Sequence, residues 1–116
     1  MLNIVKNKND NKIYELLDNN IFLDDNFERI LPNTTDASEE KHIPVVVKNG
    51  NKLNIKINHP ITDEHYIKYI FVTYGDTIIK KELVNSNETC IYINEDIENF
   101  DVYSYCNIHG LWMIKI

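Results

Sequence analysis

Cysteine is scarce in this chain. Among 116 residues there are two, Cys90 and Cys106, and none precedes Cys90. One disulfide is the most they could form, and a reducing compartment with a metal role for Cys106 argues against it. A basic surplus is also missing: 12 Lys and Arg stand against 18 Asp and Glu, a formal charge of −6. Phosphate backbones need a basic surface, so nucleic acid is excluded as a partner. Long apolar runs are absent. Stretches such as Ile70-Phe71-Val72 are far too short to span a bilayer, so no membrane is expected. Met1-Leu2-Asn3-Ile4-Val5-Lys6-Asn7 has neither an apolar signal core nor a small-residue cleavage site, and a cytoplasmic location is expected. No internal repeat and no long amphipathic helix is visible. The length suits one core-forming domain.

What is present, from Ile43 onward, is a series of short strands. Leu53, Ile55 and Ile57 alternate with Asn54 and Lys56, a period of two. Tyr66 to Thr73 is β-branched and aromatic. Tyr74-Gly75-Asp76 reads as a turn, and Thr77 to Leu83 resumes an extended run. Val84-Asn85-Ser86-Asn87 breaks the chain again, before Thr89 to Ile93, Val102 to Tyr105 and Leu111 to Ile116. About seven strands with frequent turns predict an all-β antiparallel sandwich. Trp112 and the tyrosines suit its core, with rings between the sheets. Cys90 reads as a small core residue. The first 36 residues are polar and weakly patterned. There, Asn7 to Asn11 reads as a turn, Lys12 to Leu17 as a short strand or helical turn, and Leu31 to Asp36 as a loop into the main domain.

The chemistry-bearing residues are one cysteine and four histidines. Cys106 and His109 are three apart in Cys106-Asn107-Ile108-His109-Gly110. On a single helical turn both would face one ion. The turn's amides could point at the sulfur and favour thiolate. Gly110 would let the backbone leave in a left-handed conformation. Alone, this spacing also fits a buried cysteine near a surface histidine. His59 and His65 flank Pro60-Ile61-Thr62-Asp63-Glu64, and Pro60 holds His59 extended. A loop there could return both rings to one centre, or leave two unrelated histidines. His42, in Glu40-Lys41-His42-Ile43-Pro44, would ordinarily be a solvated residue. Zinc needs only four ligands. One thiolate with four imidazoles suits a redox-active ion with a position left open.

Taken in order, Glu40-Lys41-His42-Ile43-Pro44, His59-Pro60 with His65-Tyr66-Ile67, and Tyr105-Cys106-Asn107-Ile108-His109-Gly110-Leu111-Trp112 resemble the superoxide reductase family, the catalytic domain of desulfoferrodoxin and neelaredoxin. The resemblance runs from about Asn33 to Trp112. It implies an immunoglobulin-like β-sandwich and one non-haem iron, Fe(2+)/Fe(3+), per chain. It further implies His42, His59, His65 and His109 as four equatorial ligands, Cys106 as the axial one, and an open sixth position that receives superoxide and yields hydrogen peroxide. Lys41, beside a ligand, is the candidate to attract the anion and organise protonating water. The resemblance makes Glu40 the carboxylate that occupies the open position of the resting ferric site. A solvated Glu-Lys pair is the plainer alternative.

Two-iron members carry a preceding small domain with a second iron on four cysteines. Here Asn7-Lys8-Asn9-Asp10 stands where C-x-x-C is expected. Residues 1–36 are therefore expected to be a degenerate extension without metal, and residues 37–116 the catalytic sandwich. The implied electron donor is rubredoxin or a similar small carrier, and the implied assembly a homodimer or homotetramer. The competing expectation is a non-catalytic iron- or zinc-binding module on the same sandwich.

Overall fold

The computed structural model describes residues 2–18 and 21–116. Among the described residues there is no helix, so none is long and apolar enough to cross a membrane. The chain divides into two compact units, one ending at Leu31 and the other spanning Pro32–Ile116.

The first unit is a small antiparallel sheet. Its central strand β1 (Ile4–Asn7) pairs with β2 (Ile13–Glu15) and with β3 (Phe27–Ile30). Leu2, Ile4 and Val5 are buried, so a stretch expected to be weakly patterned does form ordered strands. Asn7 and Asp10 accept the backbone amides of Asn9 and Lys12 on their side-chain oxygens, and Asn11 is left-handed at φ 60°. These are Asx turns, the local bonding that lets Asn and Asp reverse a chain. The choice left open for Lys12 to Leu17 falls on the strand.

The second unit has seven strands: β4 (Val45–Asn49), β5 (Lys52–Lys56), β6 (Ile67–Tyr74), β7 (Thr77–Glu82), β8 (Glu88–Tyr92), β9 (Asp101–Cys106) and β10 (Gly110–Lys115). They form two antiparallel sheets, in the orders β10-β9-β6-β7 and β4-β5-β8. This is the expected seven-strand all-β sandwich. Gly75 opens the two-residue β6–β7 turn at φ +53°, a conformation an L side chain rarely adopts there. Leu53, Ile55 and Ile57 from one sheet meet Ile70, Val72 and Val102 from the other, all at most 1% exposed. Leu53→Ala is expected to cost about 2–5 kcal/mol, because the cavity cannot fully collapse. Denaturant unfolding would measure it, and a loss below about 1 kcal/mol would remove Leu53 from the core.

Two expectations about the core are corrected. Cys90 is exposed and its thiol donates to Asn54 Oδ1 at 3.2 Å. The alternation of β8 that turns Ile91 inward turns Cys90 outward. Only some of the tyrosines follow the expectation: Tyr74 packs against the core between the sheets, but others do not. Tyr69 and Tyr105, registered partners on β6 and β9, lie on the face opposite Ile70 and Cys106. A bulge at Lys68 shifts the β6–β9 register, so that Ile67 and Ile70 both reach the core. Bulges re-aim the chain beside functional sites, and this one lies two residues after the Tyr66 that follows His65.

Candidate metal centre

At one end of the sandwich, three loop segments and a strand end bring five donors together. One ligating atom from each of His42, His59, His65, Cys106 and His109 lies within 4.8 Å of all the others. All five positions singled out in the sequence meet there. Cys106, His42 and His59 are buried, while His65 and His109 are half-buried and form the solvent edge. Glu40 and Lys41 are exposed on the turn that carries His42.

Each segment has its own local reason to hold its ring. His42 sits in a tight turn, with the amides of His42 and Ile43 donating to Glu39 O at 3.1 and 2.8 Å. Its Nδ1 donates to Ser38 O at 2.6 Å, which leaves Nε2 as a lone pair. His59 repeats that logic, its Nδ1 donating to Pro60 O at 2.6 Å. Cys106 ends β9 and Gly110 begins β10, so Asn107–His109 is a hairpin turn and not the expected helical one. The three-residue spacing converges equally well across it, and the His109 amide reaches Cys106 Sγ at 3.3 Å. Gly110 is left-handed at φ +79°, and a Cβ there would meet Thr35 Oγ1 at 3.1 Å.

The donor atoms face one another closely. His42 Nε2 is 3.1 Å from His109 Nδ1, and His59 Nε2 is 3.1 Å from His65 Nε2. The sulfur stands 3.2 Å from His65 Nε2 and 3.5 Å from His59 Nε2. With both Nδ1 protons committed to carbonyls, lone pairs converge, an arrangement that asks for a cation. Burial lowers the pKa of His59 to about 4, with the Pro60 hydrogen bond opposing and the charges of His65, His42 and His109 adding. Burial also lowers His42, with the Ser38 bond opposing and the charges of His109 and Lys41 adding. His65 is lowered by burial and then by His109 and His42. These three imidazoles are thus biased toward the neutral form, the one that ligates. Burial pushes the Cys106 thiol up, and the amides of His109 and Ile108 only partly offset it. The amides therefore do not by themselves give the thiolate expected from the turn. A bound cation must do so. The set fits a transition metal: one thiolate and four imidazoles are wrong for Mg or Ca, and five donors exceed a zinc tetrahedron.

Residues 34–115 match the family model described as Desulfoferrodoxin. The chain belongs to the desulfoferrodoxin family. A desulfoferrodoxin from Clostridium acetobutylicum is 36% identical over 91 residues, covering 76% of this chain and 72% of that protein. A superoxide reductase from Pyrococcus furiosus is 32% identical, over 66% of this chain and 87% of that one. The crystal structure of the superoxide reductase from Treponema pallidum superposes with a TM-score of 0.67 at 32% identity, covering 76% of this chain and 77% of that chain. The desulfoferrodoxin match spans all three loop segments and both sheets of the sandwich.

Supporting residues around the centre escaped the sequence reading. Trp112, 1% exposed, stacks on the His42 ring with centroids 4.8 Å apart, and its Nε1 donates to His109 O at 3.1 Å. It serves the centre as well as the core. The buried Ser104 hydroxyl donates to His42 O, and the Asn87 carboxamide donates to His59 O. No periodicity marks such contacts, and those of Ser104 and Asn87 join positions 62 and 28 residues apart.

Proposed function

We propose that this protein is a superoxide reductase, which takes superoxide, one electron and two protons to hydrogen peroxide. The observation that carries it is the convergence of four imidazole nitrogens and one cysteine sulfur within 4.8 Å. Relatives named superoxide reductase support it. His42, His59 and His65 would hold a non-haem iron through Nε2, His109 through Nδ1 and Cys106 through Sγ. Iron held there would supply the electron to the bound anion.

The chain's own residues do the rest. Neutral imidazoles leave most of the cation's charge uncompensated, so an anion is still attracted. Cys106, deprotonated when it holds the ion, would be the one anionic donor of the five and would push electron density onto it, as cysteine thiolates do in haem enzymes. A protein of charge −6 repels superoxide at long range, and an exposed lysine beside the site reverses that locally. Lys41 has this role and orders the water that delivers protons. Glu40, its exposed neighbour, is the carboxylate that would approach the ion between turnovers. Electrons arrive at the His65 and His109 edge from rubredoxin or a similar small carrier. A cytoplasmic location and an assembly of two or four copies belong to the same proposal.

Lys41→Ala tests it. The second-order rate with superoxide, followed by pulse radiolysis, is expected to fall about tenfold or more, the scale of local steering. Iron content should stay unchanged. An unaltered rate would take Lys41 out of the reaction.

A further inference from the structure

We propose that Asn107 is a positioning residue that sets the spacing between the Cys106 sulfur and the His65 ring; the inference rests on the metal centre described above. The other ligands have ties of their own. His42 is fixed by Ser38, Ser104 and Trp112, and His59 by Pro60 O and Asn87. His109 shares the hairpin turn with Cys106. His65 differs: among the described residues, no protein group bonds its Nδ1, so its ring is placed through its backbone. That backbone is a closed unit. Thr62 Oγ1 accepts the His65 amide at 2.9 Å, and the Thr62 amide donates to His65 O at 3.0 Å.

Asn107 grips this unit on both sides of the ligand. Its Nδ2 donates to Glu64 O at 2.9 Å, and its Oδ1 accepts from Tyr66 N at 2.9 Å. Its own amide donates to Tyr66 O at 3.2 Å. One carboxamide, adjacent in sequence to the axial cysteine, thus holds the residue before and the residue after His65. It uses both polar ends, which among the natural side chains of this length only asparagine offers. The 3.2 Å separation of Cys106 Sγ and His65 Nε2 follows from that grip. Loosening it lets the His65 loop drift from the hairpin while both parts stay folded.

A matched control exists elsewhere in the same unit. Asn33 also spends its carboxamide on backbone, with Oδ1 accepting Met113 N at 3.0 Å and Nδ2 donating to Met113 O at 3.3 Å. It brackets no ligand. Asn107→Ala and Asn33→Ala are to be compared as iron-loaded proteins by the sulfur-to-iron charge-transfer band and by iron loss to a chelator. Unfolding of the metal-free forms gives the structural baseline. Asn107→Ala is expected to shift the band and to release iron about ten- to hundredfold faster, the usual consequence of removing a support behind a ligand. Asn33→Ala is expected to lower the melting temperature while leaving band and release unchanged. If Asn107→Ala does not fold, Asn107→Asp replaces it. That variant keeps the acceptor for Tyr66 N, sets a carboxylate against Glu64 O, and is expected to shift the band as well. A folded Asn107 variant with the wild-type band and release rate overturns the inference. A wild-type protein that stays colourless after its bound iron is oxidised overturns the metal centre itself.

Discussion

Cys106→Ser is expected to abolish both the visible colour of the oxidised protein and its reduction of superoxide. Sulfur is the only donor of the five that gives a charge-transfer band with ferric iron in the visible. It is also the only donor of the five that would ligate as an anion. A serine hydroxyl is a poor ligand at neutral pH, and the fully buried position offers it no help in ionising. The fold should persist, because the β9–β10 register from Cys106 to Lys115 is carried by backbone bonds that the substitution leaves in place. Far-UV circular dichroism will separate loss of the site from loss of the sandwich. Iron should still bind, but weakly, on four imidazoles. Full superoxide reduction by the colourless variant would remove the axial thiolate from the mechanism. A wild-type protein loaded in vivo that stays colourless after oxidation would favour the zinc-binding alternative.

Much of the sandwich was legible because its strands obey the period of two. Leu53, Ile55 and Ile57 are all 1% exposed or less, as their alternation with Asn54 and Lys56 requires. The same rule, applied to Thr89–Ile93, would have turned Cys90 outward. The general preference of cysteine for cores was the weaker guide. The N-terminal sheet was not legible. Its strands are three or four residues long, and β1 pairs with β3 across some twenty residues. Local propensity cannot register such a pairing. The Cys106–His109 turn shows a different limit. A three-residue spacing lets two side chains converge on a helical turn and on a hairpin turn alike, so the sequence left the backbone undetermined.

The metal-capable residues could be named because each lies in a short motif. Their supports could not. Ser104 acts 62 residues from His42, and Asn107 acts 43 residues from Glu64. Each link depends on how the hairpin meets a loop, which only the assembled sandwich defines. Lys41 and Glu40 lie between these cases. The sequence put them beside a ligand and the structure leaves them exposed on its turn, so their roles depend on reach and charge and fall to kinetics.

Acid should empty the centre and weaken the metal-free fold over a definable range. The His59 pKa is about 4 in the folded protein against 6.5 for an ordinary histidine, and His42 and His65 are lowered too. Below about pH 6.5 the unfolded chain therefore takes up protons that the folded chain refuses. Stability rises with pH wherever the unfolded state binds more protons. Metal-free stability is thus expected to fall as the pH drops from about 6.5 toward 4, and to level off below. Bound iron opposes protonation at the same lone pairs, so in the loaded protein the loss is displaced to lower pH and coupled to metal release. Once the cation leaves, burial returns the proton to Cys106, and the colour should vanish together with the iron. Denaturant unfolding of the metal-free protein at pH 7 and pH 5, with absorbance and iron partition of the loaded protein from pH 8 to 4, tests both halves. Equal metal-free stability at pH 7 and 5 would mean the histidines are not held neutral by burial. Iron still bound when NMR shows all four rings protonated would mean that they do not hold it.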